Sequence, residues 1–272
     1  MDISKLQDKA SYVRLSALEN AVRAGKGHLG GTFSCVEILV MLYYGGFLKI
    51  TPETVNNPDR DYFFIGKGHA CLAIYPILYE LGFISYNRYM EYGTDGSTLG
   101  GQLDITVPGV ECNTGSLGHA LGLAAGVALA SKLDKKKNRA VALLGDAECE
   151  EGSVWEAIIF SAEQRLGNLT CIIDRNRLSV TRIMDDSIIF SNFCKKIELF
   201  GWKCLVIDGH DLNAISDALE FSGVASKPTM IVANTIKGKG VSFMENITKW
   251  HHQVPTETEV ALAREELQQA SS

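Results

Sequence analysis

The sequence predicts an α/β fold, a parallel β-sheet flanked by helices, and three observations carry that expectation. Four short β-rich apolar runs, AVALLG (140–145), LTCIID (169–174), KCLVID (203–208) and TMIVAN (229–234), are continuous rather than alternating, as strands buried on both faces are. Helical patterns separate these runs, which is the βαβ arrangement, with right-handed crossovers. Each run also ends in polar or small residues: Gly145-Asp146, Asp174-Arg175-Asn176, Asp208-Gly209-His210 and Asn234-Thr235-Ile236-Lys237-Gly238. In parallel sheets ligands sit beyond the carboxyl ends of the strands. Topology alone therefore predicts a binding rim of carboxylates, an amide and a lysine.

The elements follow in order. Leu6, Ala10, Val13, Ala17 and Ala21 recur at helical spacing over the first ~24 residues. GKGHLGG (25–31) reads as a Gly-rich loop, and Ser34 with Glu37 as a capping box before ILVMLYY. DYFFI (61–65) reads as a strand, GKGH recurs at 66–69, and a helix runs from about 69 to Gly82. Residues 91–116, rich in Gly, Thr, Asp and Ser, form a long irregular loop, and loops of that length are commonly functional. From 117, LGHALGLAAGVALASKL reads as a helix with Gly118, Gly122 and Gly126 at i+4. Glycine weakens helices, so close packing against another backbone is the expected return.

Composition fits a globular chain of one large α/β domain or two small ones, with 46% of residues hydrophobic and enough chain for a sizeable core. With 26 basic against 32 acidic residues there is no basic footprint for nucleic acid. The seven cysteines are odd in number and contain no CxxC pair, so reduced thiols and a cytoplasmic setting are expected. The N-terminus lacks a signal-peptide core and no apolar run approaches ~18 residues, so no membrane partner is expected. The sequons at Asn168 and Asn246 are read as chance matches.

Two rim residues suggest chemistry. Asp146 and Asn176, 30 positions apart, are hard oxygen donors. Completed by a backbone carbonyl and phosphate oxygens, they suit Mg²⁺ or Ca²⁺, and Gly145 lets phosphates approach the backbone. Gly-Asp alone is equally a plain turn into the next helix. No Cys/His set has zinc spacing, and no strand leads into GxGxxG, which makes a dinucleotide domain a poorer reading. His28 and His69 share the repeated GKGH loops. Glu148, Glu150 and Glu151 read as loop solvation or helix N-terminal charge, whereas Glu156 lies beside Trp155 on the helix that follows.

Taken in series, the motifs resemble one family. GDAECEEGSVWEA (145–157) followed by NRL (176–178) resembles the thiamine diphosphate and metal motif of transketolases. KGHLGG (26–31), GKGHA (66–70), GVECNTGSLGHALG (109–122) and KGKGVSFMENITKWH (237–251) extend the likeness over nearly the whole chain. The resemblance implies the thiamine-diphosphate-binding fold, as one domain over 1–272, and the N-terminal subunit of a split transketolase. Its partner would be a separate C-terminal subunit in an α2β2 heterotetramer. By resemblance, Asp146, Asn176 and the Leu178 carbonyl are similar to the metal ligands, and His69 and Gly145-Asp146-Ala147 to the diphosphate contacts. Gly115, Ser116 and Leu117 match the loop touching the aminopyrimidine, and Glu151 and Glu156 match acidic residues linking paired active sites. His28 and His251 match histidines contacting the reacting sugar or the diphosphate. The implied reaction moves a two-carbon ketol unit from a ketose donor to an aldose acceptor, both small-molecule sugars. The glutamate that activates the aminopyrimidine would come from the partner, so the isolated chain is expected to be inactive.

Four positions depart from the family pattern. Gln102 stands in GGQLD where Gly-His-Pro is common, and it can hydrogen-bond but not carry a proton. Ala147 replaces a glycine, which costs about 1 kcal/mol if φ there is positive and little if it is negative. His119 replaces Gln and His252 replaces Gly. These changes imply an altered donor or acceptor. A 2-oxo acid undergoing decarboxylative acyl transfer, or an inactive regulatory homologue, remain the alternatives.

Overall fold

A computed structural model of the chain describes residues 2–179, 183–184, 187–223 and 225–269. Its strands are β1 (Tyr62–Ile65), β2 (Ala140–Gly145), β3 (Leu169–Arg175), β4 (Lys203–Asp208) and β5 (Thr229–Asn234). All pair in parallel in the order β1-β2-β3-β5-β4. Gly145 is in register with Asp174, and Arg175 with Asn234. The strand ends are therefore level, and the rim predicted from the sequence exists.

The helices are α1 (Ile3–Ala24), α2 (Leu29–Ser34), α3 (Val36–Tyr43), α4 (Cys71–Glu80), α5 (Tyr86–Met90), α6 (Ala120–Leu133), α7 (Gly152–Glu163), α8 (Phe193–Leu199), α9 (Leu212–Gly223) and α10 (Glu257–Gln269). Strand side chains alternate between two cores. Val141, Leu143, Ile172 and Ile231 pack with α1, α3 and α4 through residues such as Val13, Leu39 and Leu72. Ala142, Leu144, Cys171 and Val232 pack with α6, α7 and α8 through Leu121, Ile158 and Ile197. Full burial of each large aliphatic side chain contributes ~1.5–3 kcal/mol. The five predicted helical positions of α1 are all buried. Asp2 caps its start by accepting from Lys5 N, and Gly25 ends it at φ 64, a left-handed conformation that glycine adopts without strain.

Four expectations need correction. Ser34 and Glu37 do not form a capping box: Cys35 is the N-cap of α3, without a side-chain bond. Their polar atoms serve tertiary partners instead. Ser34 Oγ donates to Asp174 at 2.6 Å, and Glu37 accepts from Arg14 at 2.7 Å and pairs with His210 Nδ1 at 2.9 Å. The second half of the 25–31 loop is helical, as α2. Gly122 and Gly126 meet no packed backbone among the described residues, for a Cβ on either would lie in open space. Finally, Cys194 on α8 and Cys204 on β4 form a disulfide, with Cα atoms 5.3 Å apart. That lies within bridging range, and a spacing of ten residues gives no motif by which sequence could show it.

The irregular 91–116 segment is held from below. The Tyr75 hydroxyl lies 3.0 and 3.1 Å from the carbonyls of Gly100 and Gln102, and Leu103 N donates to Thr114 Oγ1 at 2.8 Å. Beneath the rim, Lys67 from the β1 end pairs with Asp174 on β3; their side chains are 2% and 0% exposed. Lys67 also donates to Gly31 O at 2.7 Å, and Asp174 accepts from the hydroxyls of Ser34 and Thr235. Burial opposes charge on both groups. Their mutual attraction overcomes it, raising the lysine pKa and lowering that of the carboxylate. Removing one partner leaves the other buried and uncompensated. Lys67→Met and Asp174→Asn are each expected to lower unfolding free energy by about 3–5 kcal/mol in urea titrations, and the double variant by less than their sum. Additive losses would show that the pair is not coupled.

Candidate active site

The ends of β1, β2, β3 and β5 surround a cavity of about 210 Å³. Its lining includes His28, His69, Gln102, Gly115, Leu117, Gly145, Asp146, Ala147, Glu148, Asn176, Leu178, Lys237 and His251. Most of the residues singled out in the sequence thus meet in one place. Ser116, between two lining residues, is itself exposed.

Asp146 follows β2 and is 2% exposed. Its Oδ1 accepts from Ala147 N at 2.8 Å and its Oδ2 from Arg177 N at 2.6 Å, so the carboxylate leans against the turn after β3. That turn is made possible by Arg177 at φ 64, an uncommon conformation outside glycine. Asn176 Oδ1 accepts from Leu178 N at 3.1 Å, while its Nδ2 lies 3.4 Å from Asp174 Oδ2. The buried ion pair thereby fixes which end of the amide faces away from the core. Lys237 Nζ donates to Leu178 O at 3.1 Å and lies 3.2 Å from His251 Nδ1. Asp146, Asn176 and Leu178 all line the same cavity.

The imidazoles form a second group. Ring centroids lie 5.4 Å apart for His28 and His69, 5.4 Å for His28 and His251, and 5.3 Å for His69 and His251. His252 joins from outside, 4.6 Å from His28. Burial, with His252 and Lys237 nearby, pulls the His28 pKa down to about 4. Burial with Lys237 does the same to His251, also to about 4. His69 is held well below its usual value by burial and Lys67. Burial and Lys67 lower Lys237 to about 8. Cation-forming groups that depress one another favour the entry of an anion. Asp146 shows the complementary signal: burial and the nearby Asp174 push it up to about 6, so a cation beside it would be stabilising.

Ala147 lies in a 3₁₀ turn, Ala147–Glu150, and is not among the residues with positive φ. The replaced glycine is therefore nearly silent. Glu151 and Glu156 are exposed and lie outside the cavity. Glu156 instead lines an outer groove between α6 and α7 with His119, Gly122, Leu123 and Phe160. His210 is structural: its Nδ1 faces Glu37 and its Nε2 accepts from Ile236 N at 2.8 Å.

Lys237 stands on the rim as its place at the β5 end predicts, but two site residues escaped the sequence reading. Lys67 was signalled by the repeated GKGH. Glu148, read as loop solvation, is 1% exposed and lines the cavity, with burial pushing its pKa up to about 7. Its place in an acidic run gave no sign of this. Among the described residues no three His, Cys, Asp or Glu side chains gather as a metal-binding group, and no helix is long and apolar enough to cross a membrane.

Known proteins show the same arrangement of sequence. The family described as transketolase, thiamine diphosphate binding domain, matches residues 6–271. The chain is 37% identical over 257 residues to one subunit of the apulose-4-phosphate transketolase of Phocaeicola vulgatus, covering 94% of this chain and 91% of that one. It is 35% identical over 254 residues to a 6-deoxy-6-sulfo-D-fructose transketolase subunit from a Clostridium species, covering 93% and 92%. Human transketolase is 34% identical over 250 residues, but the match covers 92% of this chain and only 40% of the human protein. The crystal structure of Campylobacter jejuni transketolase superposes with a TM-score of 0.91 at 29% identity, and this chain spans 43% of it. With the family matched over almost its full length and the rim geometry in place, the chain belongs to the transketolase family and carries its thiamine diphosphate binding domain.

Proposed function

We propose that the chain is the diphosphate-binding subunit of a two-component transketolase, moving a two-carbon ketol unit from a ketose phosphate or similar donor to an aldose acceptor. The observation that carries this reading is the single cavity in which Asp146, Asn176 and Leu178 meet Lys237 and three histidines. The residues fit both implied groups. One carboxylate, one amide oxygen and one carbonyl match the hard donors of Mg²⁺, which keeps further positions for phosphate oxygens. His69, Lys237 and the Gly145–Ala147 backbone would receive the diphosphate. Thiamine diphosphate, when bound, supplies the electron sink for cleavage of the donor's C–C bond.

The chain's own residues hold, orient and move protons. His28 and His251, neutral at pH 7, can each accept a proton at one ring nitrogen and donate from the other towards sugar hydroxyls. Thr114 Oγ1 lies 3.2 Å from Gln102 Oε1. The hydroxyl can donate there, leaving the Gln102 amide N–H groups for an acceptor oxygen of the donor sugar. Gln102 would thus recognise without proton transfer. The outer groove supports a partner: bare Gly122 and Gly126, with exposed Leu123, Phe160 and Glu156, offer a surface for the C-terminal subunit. Glu151 and Glu156 would link sites across an α2β2 assembly, in a cytoplasmic setting.

Two outcomes are expected. Purified alone, the chain gives no ketol transfer. With the C-terminal subunit it gives turnover that chelation abolishes and Mg²⁺ restores, and Asp146→Ala or Asn176→Ala weakens thiamine diphosphate binding by at least roughly 100-fold. Full turnover by the single chain would contradict the two-component reading. Second, imidazole resonances of His28, His69 and His251 followed by NMR should not titrate between pH 6 and 8, because their folded pKa values are depressed below that window. Midpoints near 6.5 would show that the site does not desolvate them.

A further inference from the structure

We propose that Glu148 is a positioning residue that clamps the 115–118 loop to the end of β2 and so sets the distance between the two ends of the cofactor site. Its carboxylate is buried, and it accepts from Gly118 N at 2.8 Å through Oε1 and from Gly145 N at 3.1 Å through Oε2. One side chain therefore joins two segments that are separated by 27 positions, Gly118 and Gly145, and that both border the cavity. No ion pair to Glu148 is present among the described residues. A buried carboxylate held only by two backbone N–H groups is costly to keep, and an apolar side chain would fill the same space without that cost. What an apolar side chain cannot do is bind two backbone N–H groups at once.

The surrounding backbone is shaped around this carboxylate. A Cβ added at Gly66, where β1 leaves the sheet, would overlap the Glu148 carboxylate itself. Gly118 holds φ +87, and a Cβ there would meet Glu151 Cβ at 2.6 Å, so its N–H is aimed at Glu148 by a conformation few other residues adopt. Ser153 Oγ donates to Gly118 O at 3.0 Å, fixing the same loop from α7. The end of β1, the loop before α6 and the end of β2 all meet at one pair of oxygens.

The inference rests on the reading that the cavity takes thiamine diphosphate. The Gly145–Ala147 end would receive the diphosphate and the Gly115–Leu117 loop the heterocycle. A clamp between those walls matters for a ligand that spans both and little for one that touches a single wall. The test uses the complex of this chain with its C-terminal subunit, in Mg²⁺, and measures dissociation constants for thiamine diphosphate and for inorganic diphosphate. Glu148→Gln keeps the shape but can accept only one of the two N–H groups, and Glu148→Asp keeps the charge but is one methylene shorter. Each is expected to weaken thiamine diphosphate by about tenfold or more and inorganic diphosphate by less than about twofold. Unchanged thiamine diphosphate affinity, or equal losses for both ligands, would overturn the clamp. A wild-type complex that binds neither ligand would instead overturn the functional reading beneath it.

Discussion

A lysine and an aspartate buried together beneath the rim of the sheet are the constraint on which the site depends. Lys67 and Asp174 bring a strand end, a second strand and α2 to one point through Gly31, Ser34 and Thr235. Neither charge could remain there alone. Together they leave an Asp174 oxygen within reach of the Asn176 amide. The polar floor under the cavity is therefore part of the fold, and the orientation of a candidate metal ligand follows from it. The same arrangement places a carboxylate and two lysines close enough to disturb every titrating group above them.

That disturbance explains the character of the cavity. Burial, reinforced by Lys67 and Lys237, holds the histidines neutral, and burial beside Asp174 holds Asp146 above its usual range. Such a site is electrostatically incomplete in two ways at once. It favours an anion near Lys237 and His69 and a cation near Asp146. A diphosphate carrying a divalent ion would answer both.

Much of this was legible in the sequence, for a physical reason. Doubly buried strands need continuous apolar runs, so β2, β3 and β5 announced themselves; β4 carries such a run too but lies at the sheet edge, with Val206 exposed. A parallel sheet then dictated which residues share a rim. Asp146, Asn176 and Lys237 follow from that rule. Other features depend on packing between distant segments. Ser34 and Glu37 had the spacing of a helix cap, yet their partners are Asp174, Arg14 and His210. Glu148 looked like a solvated residue because sequence does not show that Gly118 and Gly145 converge on it. The Cys194–Cys204 bridge arises only when α8 lies against β4. Gly122 and Gly126 were expected to pack closely against another backbone, but among the described residues no segment covers them.

The central claim is geometric: strand-end oxygens from β2 and β3 hold one divalent ion against a diphosphate. It is tested most directly by an anomalous difference map from crystals of the two-subunit complex grown with thiamine diphosphate and Mn²⁺ in place of Mg²⁺. The account predicts a single peak within about 2.0–2.6 Å of Asp146, Asn176 and the Leu178 carbonyl, bridged to the diphosphate. A cofactor seated in the cavity with the ion elsewhere, or with no ion between its phosphates and Asp146, would contradict it.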